Sequence, residues 1–189
     1  SFPTRRSSDL IIIDGNLYYG KSGFSGEFGH FCMFENEVLC HCGKKGCLET
    51  EASGSAFHRI LIERYREGSN TILAGKLDSG EEISLGDLLE AVRKEDVLCI
   101  DILEKMGVNL GKGIAGLMNI FNPELVILGG TLSLAGEYIS LPVKSAIRKY
   151  SLNLVNQDTE IKISKLGERA GAFGACLLSR SKLLGMIHY

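Results

Sequence analysis

A chain of 189 residues with 44 % hydrophobic content is long enough to bury a core of its own, and one domain is expected. Its formal net charge of -2 and pI near 6.1 argue against a nucleic-acid surface, so any DNA contact made by the parent protein is expected elsewhere. No apolar run approaches the roughly eighteen residues that cross a bilayer, and six cysteines, three of them tightly grouped, suggest a reducing, cytoplasmic setting rather than a disulfide framework.

The first ten residues, SFPTRRSSDL, match the translation of a common short-read sequencing adaptor and are expected to lie outside the fold. Arg5-Arg6 would otherwise suggest a twin-arginine export signal, yet the apolar stretch behind it runs only from Leu10 to Ile13 before Asp14-Gly15 turns the chain. On this reading the gene begins upstream, and residues 11–189 are a fragment of something longer.

Strands over residues 10–13 and 16–19 are predicted about the Asp14-Gly15 turn. They deliver a loop in which Gly20, Gly23 and Gly26, with Ser22 and Ser25, permit close approach of backbone to a ligand. The densest chemistry follows in residues 25–53, with four cysteines and five carboxylates. Cys40, Cys42 and Cys47 form a C-x-C-x4-C knuckle in which Gly43 and Gly46 allow a tight fold, and His30 stands ten residues upstream as a fourth ligand. This donor set predicts a closed, structural zinc site.

Beyond the knuckle, Phe57, Ile60, Leu61 and Tyr65 give residues 56–66 the spacing of an amphipathic helix ending at Gly68, with His58 off the stripe and exposed. Residues 68–82 read as a surface excursion. Ser84 and Asp87 then open a helix whose apolar face is Leu85, Leu88, Leu89 and Val92. A longer helix spans 96–121, with Val97, Ile100, Leu103, Met106, Leu110, Ile114, Leu117 and Phe121 three or four apart. Gly107 and Gly111 each cost that helix about 1 kcal/mol relative to alanine, so a close neighbour is expected to compensate. After Asn122-Pro123-Glu124, a buried strand over 125–128 runs into Gly129-Gly130-Thr131. A helix over 136–150, a strand over 160–164 and a helix over 168–184 complete a mixed α/β pattern with a largely parallel sheet, Gly167 and Gly171 serving close packing at the last helix.

Two runs, Gly26-Glu27-Phe28-Gly29-His30 and Cys40-His41-Cys42-Gly43-Lys44-Lys45-Gly46-Cys47-Leu48-Glu49, together resemble the signature of the ROK family of sugar repressors, sugar kinases and open reading frames. The resemblance covers residues 11 to about 184 and implies the C-terminal lobe of the α/β fold shared by actin, hexokinase and Hsp70 ATPases. It implies that Glu27, His30 and Glu49 bind a sugar, the carboxylates accepting from its hydroxyls. One His30 ring nitrogen would ligate zinc while the other faces the sugar, and His41 stays outside the ligand set. In the family's kinases the Gly129-Gly130 turn would lie at the adenosine of the nucleotide, but Thr131 stands where kinases often continue with glycine.

A kinase's phosphate loop and catalytic aspartate, or a repressor's helix-turn-helix, would both belong upstream. Thr131 and the tail 162–185 favour the sugar-sensing fragment of a transcriptional repressor of carbohydrate metabolism. The alternative is an ATP- and Mg2+-dependent kinase acting on a hexose or N-acetylhexosamine. Expected partners are a small sugar, DNA through an upstream domain only, and further copies of the chain in a homo-oligomer, with no membrane.

Overall fold

The computed structural model describes residues 10–184, so the adaptor-like stretch lies outside the described residues except for Leu10. Strands β1 (Ile12–Ile13) and β2 (Asn16–Leu17) pair antiparallel, with Ile12 opposite Leu17 and Ile13 opposite Asn16. Asp14 and Gly15 take φ of 51° and 75°. Positive φ at both central positions matches the twist of a two-residue hairpin, which is why an Asp-Gly pair sits there. Each strand is shorter than its sequence pattern predicts, and Ile12 and Ile13 remain exposed.

Helices supply most of the core. Beyond the cysteine-rich loop come α1 (Glu49–Ala52) and α2 (Gly54–Arg66). Ser53 caps α2 by accepting from the Ala56 N–H at 3.1 Å, so that helix starts two residues earlier than predicted. The stretch read as a surface excursion contains α3 (Ala74–Ser79). Buried Leu73 and half-buried Leu77 are four apart and dock on the core, a pairing too short to register as a period. Helix α4 (Leu85–Arg93) begins with the expected capping box: Ser84 Oγ accepts from the Asp87 N–H, and Asp87 Oδ2 from the Ser84 N–H.

Helix α5 (Val97–Phe121) is the spine. Asp96 caps it by accepting from the Cys99 N–H at 2.9 Å, while its second oxygen accepts from the Ile72 N–H at 2.7 Å. Burial alone would raise the Asp96 carboxyl, but these backbone donors outweigh it and hold it below its ordinary range. Of the predicted stripe of α5, Leu103, Met106 and Ile114 are buried, Ile100, Leu110 and Leu117 are half-buried, and Val97 and Phe121 at its ends are exposed.

Helix α6 (Glu137–Tyr150) lies along α5 at the two glycines. A Cβ on Gly111 would sit 2.5 Å from the Val143 carbonyl oxygen and 2.7 Å from Ala146 Cβ; one on Gly107 would sit 2.9 Å from Pro142 Cβ. The close neighbour that the sequence required is therefore α6. Phe57, Leu61, Leu88, Val92, Leu103, Met106, Met118, Val143 and Ile147 close the core between α2, α4, α5 and α6.

Strands β3 (Leu125–Leu128) and β4 (Glu160–Ile163) pair parallel, Leu125 opposite Glu160 and Leu128 opposite Ile163. Among the described residues the strands form two separate two-stranded sheets, β3–β4 parallel and β1–β2 antiparallel, in place of the largely parallel sheet expected. Its inward face, Val126, Leu128, Ile161 and Ile163, is half-buried, while Leu125 and Ile127 are exposed. The 125–128 strand is thus covered on one face only, a correction that a four-residue apolar run could not reveal. Helix α7 (Asn153–Asp158), which no pattern predicted, precedes β4. Last comes α8 (Ala170–Leu183), with Phe173 and Leu177 exposed. No described helix is long and apolar enough to cross a membrane.

The α5–α6 contact makes opposite predictions for two glycines of one helix. Gly111→Ala is expected to destabilise the protein by about 1–3 kcal/mol through overpacking. Gly116→Ala, with nothing within 4 Å of its Cβ, is expected to stabilise it by up to about 1 kcal/mol. Urea denaturation of both variants checks the pair.

Candidate metal centre

Residues 27–48 fold as a return loop rather than as regular structure. A 3-10 turn over Phe28–His30 presents His30, and the chain then runs antiparallel to residues 44–48. Met33 and Phe34 N–H groups both donate to the Gly46 carbonyl at 2.8 and 3.1 Å, and Leu48 N–H donates to Phe31 O at 3.0 Å. The knuckle itself closes through Cys40 N–H to Lys44 O and Gly43 N–H to Cys40 O, at 2.8 and 2.9 Å. Gly43 and Gly46 adopt φ of 83° and 78°, so both occupy the left-handed region that the sequence anticipated. At Gly46 the need is also steric, because a Cβ there would sit 2.1 Å from the Phe34 carbonyl oxygen.

This fold brings the ligand atoms of His30, Cys40, Cys42 and Cys47 within 4.8 Å of one another. Cys40 Sγ lies 3.5 Å from His30 Nδ1, and Cys42 Sγ lies 3.5 Å from Cys47 Sγ. A tetrahedral centre with metal–sulfur bonds near 2.3 Å and metal–nitrogen bonds near 2.0 Å has S···S and S···N edges of about 3.8 and 3.5 Å. The four side chains therefore stand close to the corners that such a centre needs, and they could hold a metal ion. Burial pushes the Cys47 thiol up to about 12, with Cys42 and Cys40 adding to the shift. Cys42 is exposed, and the Lys44 backbone N–H lowers its thiol below the ordinary range. A buried thiol of that kind loses its proton when a cation takes its place.

The other residues to which the sequence resemblance assigns sugar binding, Glu27 and Glu49, flank this cluster in the chain. Glu27 Oε2 is 3.8 Å from His30 Nε2, so the imidazole has its Nδ1 side on the thiols and its Nε2 side towards a carboxylate. Glu49 opens α1 two residues after Cys47, half-buried. Helix α1 is held in turn by Arg59 of α2, whose guanidinium donates to Thr50 O at 2.8 Å, lies 3.7 Å from Glu51 and pairs with Glu63 at 2.8 Å. Asn36 Nδ2 donates to Glu51 Oε1 at 2.7 Å and ties the outgoing arm of the loop to the same network. Only the i,i+4 spacing of Arg59 and Glu63 was visible in sequence. Gly113 carries no local sequence signal. A Cβ on it would sit 2.6 Å from Phe28 Cζ and 3.1 Å from Leu48 Cδ2, so α5 seats the loop as closely as it seats α6.

Gly129 and Gly130 lie elsewhere, between β3 and a 3-10 turn over Thr131–Ala135. Gly130 has φ of 82° with nothing within 4 Å of a Cβ, and Ser133 Oγ donates to its carbonyl at 2.6 Å. The turn needs the left-handed backbone at Gly130, and the space beside it is open. His58 is half-buried rather than exposed.

The ROK family model matches residues 10–182. A glucokinase of Halalkalibacterium halodurans is 34 % identical over 87 % of this chain and 50 % of its own length. A xylose repressor of Caldicellulosiruptor bescii is 32 % identical over 95 % of this chain and 45 % of its own length. Among solved structures, a ROK family glucokinase from Streptomyces griseus, in complex with glucose and AMPPNP, superposes with a TM-score of 0.78 at 30 % identity, over 91 % of this chain and 56 % of that one. The chain thus spans about half the length of the curated relatives it matches, and its fold is of the sugar-kinase-like, actin- and hexokinase-related kind with α/β content.

The loop geometry separates its two glycines. Gly46→Ala must displace Phe34 O as well as hold φ near 78°, and it is expected to weaken metal binding more than Gly43→Ala, which meets nothing within 4 Å. Competition titration of both variants against a chromophoric chelator measures the difference.

Proposed function

The chain belongs to the ROK family, and on that premise we propose that it is the sugar-sensing part of a ROK transcriptional repressor, its recognition loop braced by a structural zinc ion. One observation carries the sugar-loop reading. His30 stands between Cys40 Sγ at 3.5 Å and Glu27 Oε2 at 3.8 Å, so one ring bridges the metal cluster to a carboxylate. Three thiolates and an imidazole at tetrahedral spacing suit Zn2+, and four protein ligands leave no position for an activated water. Such an ion would supply rigidity and nothing to a reaction. In this reading Glu27 and Glu49 accept hydrogen bonds from sugar hydroxyls and His30 Nε2 makes a third contact, with the ring held by its bond to the metal.

Thr131 after Gly129-Gly130 supports a regulator over an enzyme, because its side chain stands where the family's kinases often have none. DNA contact would come through an upstream domain, and the protein would act in the cytoplasm as a homo-oligomer. The second reading is an ATP- and Mg2+-dependent sugar kinase. It is favoured by the superposition on a glucokinase that holds glucose and AMPPNP, and in it Gly129 and Gly130 would lie at the nucleotide.

Elemental analysis of the purified chain is expected to find about one zinc per molecule, and Cys42→Ser is expected to lower both zinc content and melting temperature. Folded, zinc-free protein with an unchanged melting profile overturns the metal reading. In the full-length parent, Glu27→Gln and Glu49→Gln are each expected to weaken sugar binding about tenfold, since a hydrogen bond to a charged acceptor contributes about 1.5–3 kcal/mol. Unchanged affinity in both variants overturns the sugar-binding assignment. Sugar-induced release of operator DNA without sugar-dependent ATP consumption is the result expected of a repressor; phosphoryl transfer to the sugar would establish the kinase instead.

A further inference from the structure

Cys32 belongs to no ligand set, yet it faces one of the ligands. It forms an antiparallel bridge with Cys47. The flanking hydrogen bonds, Met33 N–H to Gly46 O and Leu48 N–H to Phe31 O, lie one residue to either side of the pair, so Cys32 and Cys47 do not bond to each other's backbone. In antiparallel structure that is the narrow pair, with Cα atoms about 4.5 Å apart and Cβ atoms in reach of each other. A disulfide needs Cα atoms about 4.4–6.8 Å apart and Cβ atoms about 3.5–4.5 Å apart, so the backbone already meets the first requirement and comes near the second. Cys32 is exposed, whereas Cys47 is fully buried. At rest the Cys32 thiol donates to Lys45 O at 3.4 Å, a weak contact that a χ1 rotation releases.

We propose that Cys32 is an oxidation site for hydroperoxides and that Cys47 resolves it, so that oxidation dismantles the metal centre. This rests on the reading of His30, Cys40, Cys42 and Cys47 as a zinc site. The Cys32 sulfur attacks one oxygen of the peroxide O–O bond, forming the sulfenic acid and releasing an alcohol, or water from hydrogen peroxide. The Cys47 sulfur, which would have to give up any metal it ligates, then attacks the Cys32 sulfur; the S–O bond breaks, and the departing hydroxide takes a proton to become water. Two thiols have been oxidised and one peroxide reduced. Only His30, Cys40 and Cys42 would remain to hold a metal ion, and the loss of one of four ligands would lower its affinity. Glu49 stands two residues from Cys47, so the change reaches the sugar-directed face of the loop directly.

The test uses this chain as purified, with its zinc content measured first. Hydrogen peroxide is added in the presence of a chromophoric zinc chelator, and the disulfides are mapped by peptide mass spectrometry after thiol alkylation. Wild type is expected to yield a Cys32–Cys47 linked peptide, and Cys32→Ser to release zinc about tenfold more slowly. Dithiothreitol with added zinc is expected to restore the metal content of the wild type. Equal release rates in the two proteins, or a disulfide that maps to Cys42–Cys47 in both, overturns the proposal. If the chain carries no zinc, the metal reading fails by itself, and the peptide map still decides whether Cys32 and Cys47 pair.

Discussion

Helix α5 lacks a side chain at three positions where other atoms have to be. Gly107 and Gly111 admit the backbone of α6, and Gly113 admits Phe28 and Leu48 from the cysteine-rich loop. Each glycine costs the isolated helix about 1 kcal/mol against alanine. The close approach recovers that cost by bringing Ile139, Val143 and Ala146 into dispersion contact with the helix at distances a Cβ would forbid. The same helix therefore sets the α5–α6 spacing and the seat of the loop. An error in one is transmitted to the other, because packed interiors repack in discrete steps rather than stretch.

Seated in this way, the loop has little regular structure of its own and is closed by a few backbone hydrogen bonds around two left-handed glycines. Loops of that kind carry a large entropy cost for each ordered residue. Two things offset it here. Network contacts from Asn36, Glu51 and Arg59 bind the arms of the loop to α1 and α2. The cluster of three thiols and an imidazole could hold a metal ion as a second tie, one that favours the ordered form and stabilises it by an amount that grows with the logarithm of its affinity.

The parts of this arrangement that could be read in the sequence are those whose cause is local. Asp14-Gly15 needs only its own backbone, Ser84 and Asp87 need only each other, and a cysteine knuckle announces itself by spacing and by the glycines that let it turn. Gly107 and Gly111 were legible as a question, and α6 is the answer. What stayed hidden depends on partners distant in sequence. Gly113 has no local signal, because its reason is Phe28, some eighty-five residues earlier. Leu73 and Leu77 make a helix of residues 74–79 only because the core already offers them a place. Leu125 and Ile127 look like an interior strand, since an apolar run does not say whether one face or two will be covered. Cys32 is the sharpest case: among six cysteines it looked incidental, and only the register of two short arms sets it against Cys47.

That register ties the proposed sensor together more closely than a list of ligands would suggest. On the zinc-braced reading, Glu27 lies 3.8 Å from His30 and Glu49 follows Cys47 by two residues, so each carboxylate proposed to bind sugar stands beside a proposed metal ligand. A sugar that bound both would, on this reading, favour the arrangement in which His30 and Cys47 point at a common centre. On that reading linkage would require the reverse by the same factor, so a bound sugar would tighten the metal and a bound metal would tighten the sugar. The coupling needs no conformational wire, because one short loop contributes to both sites and its ordering cost is met once. On the proposed reading such a loop would gain rigidity from the metal at the place where rigidity improves recognition, and the helical core would need no further adaptation.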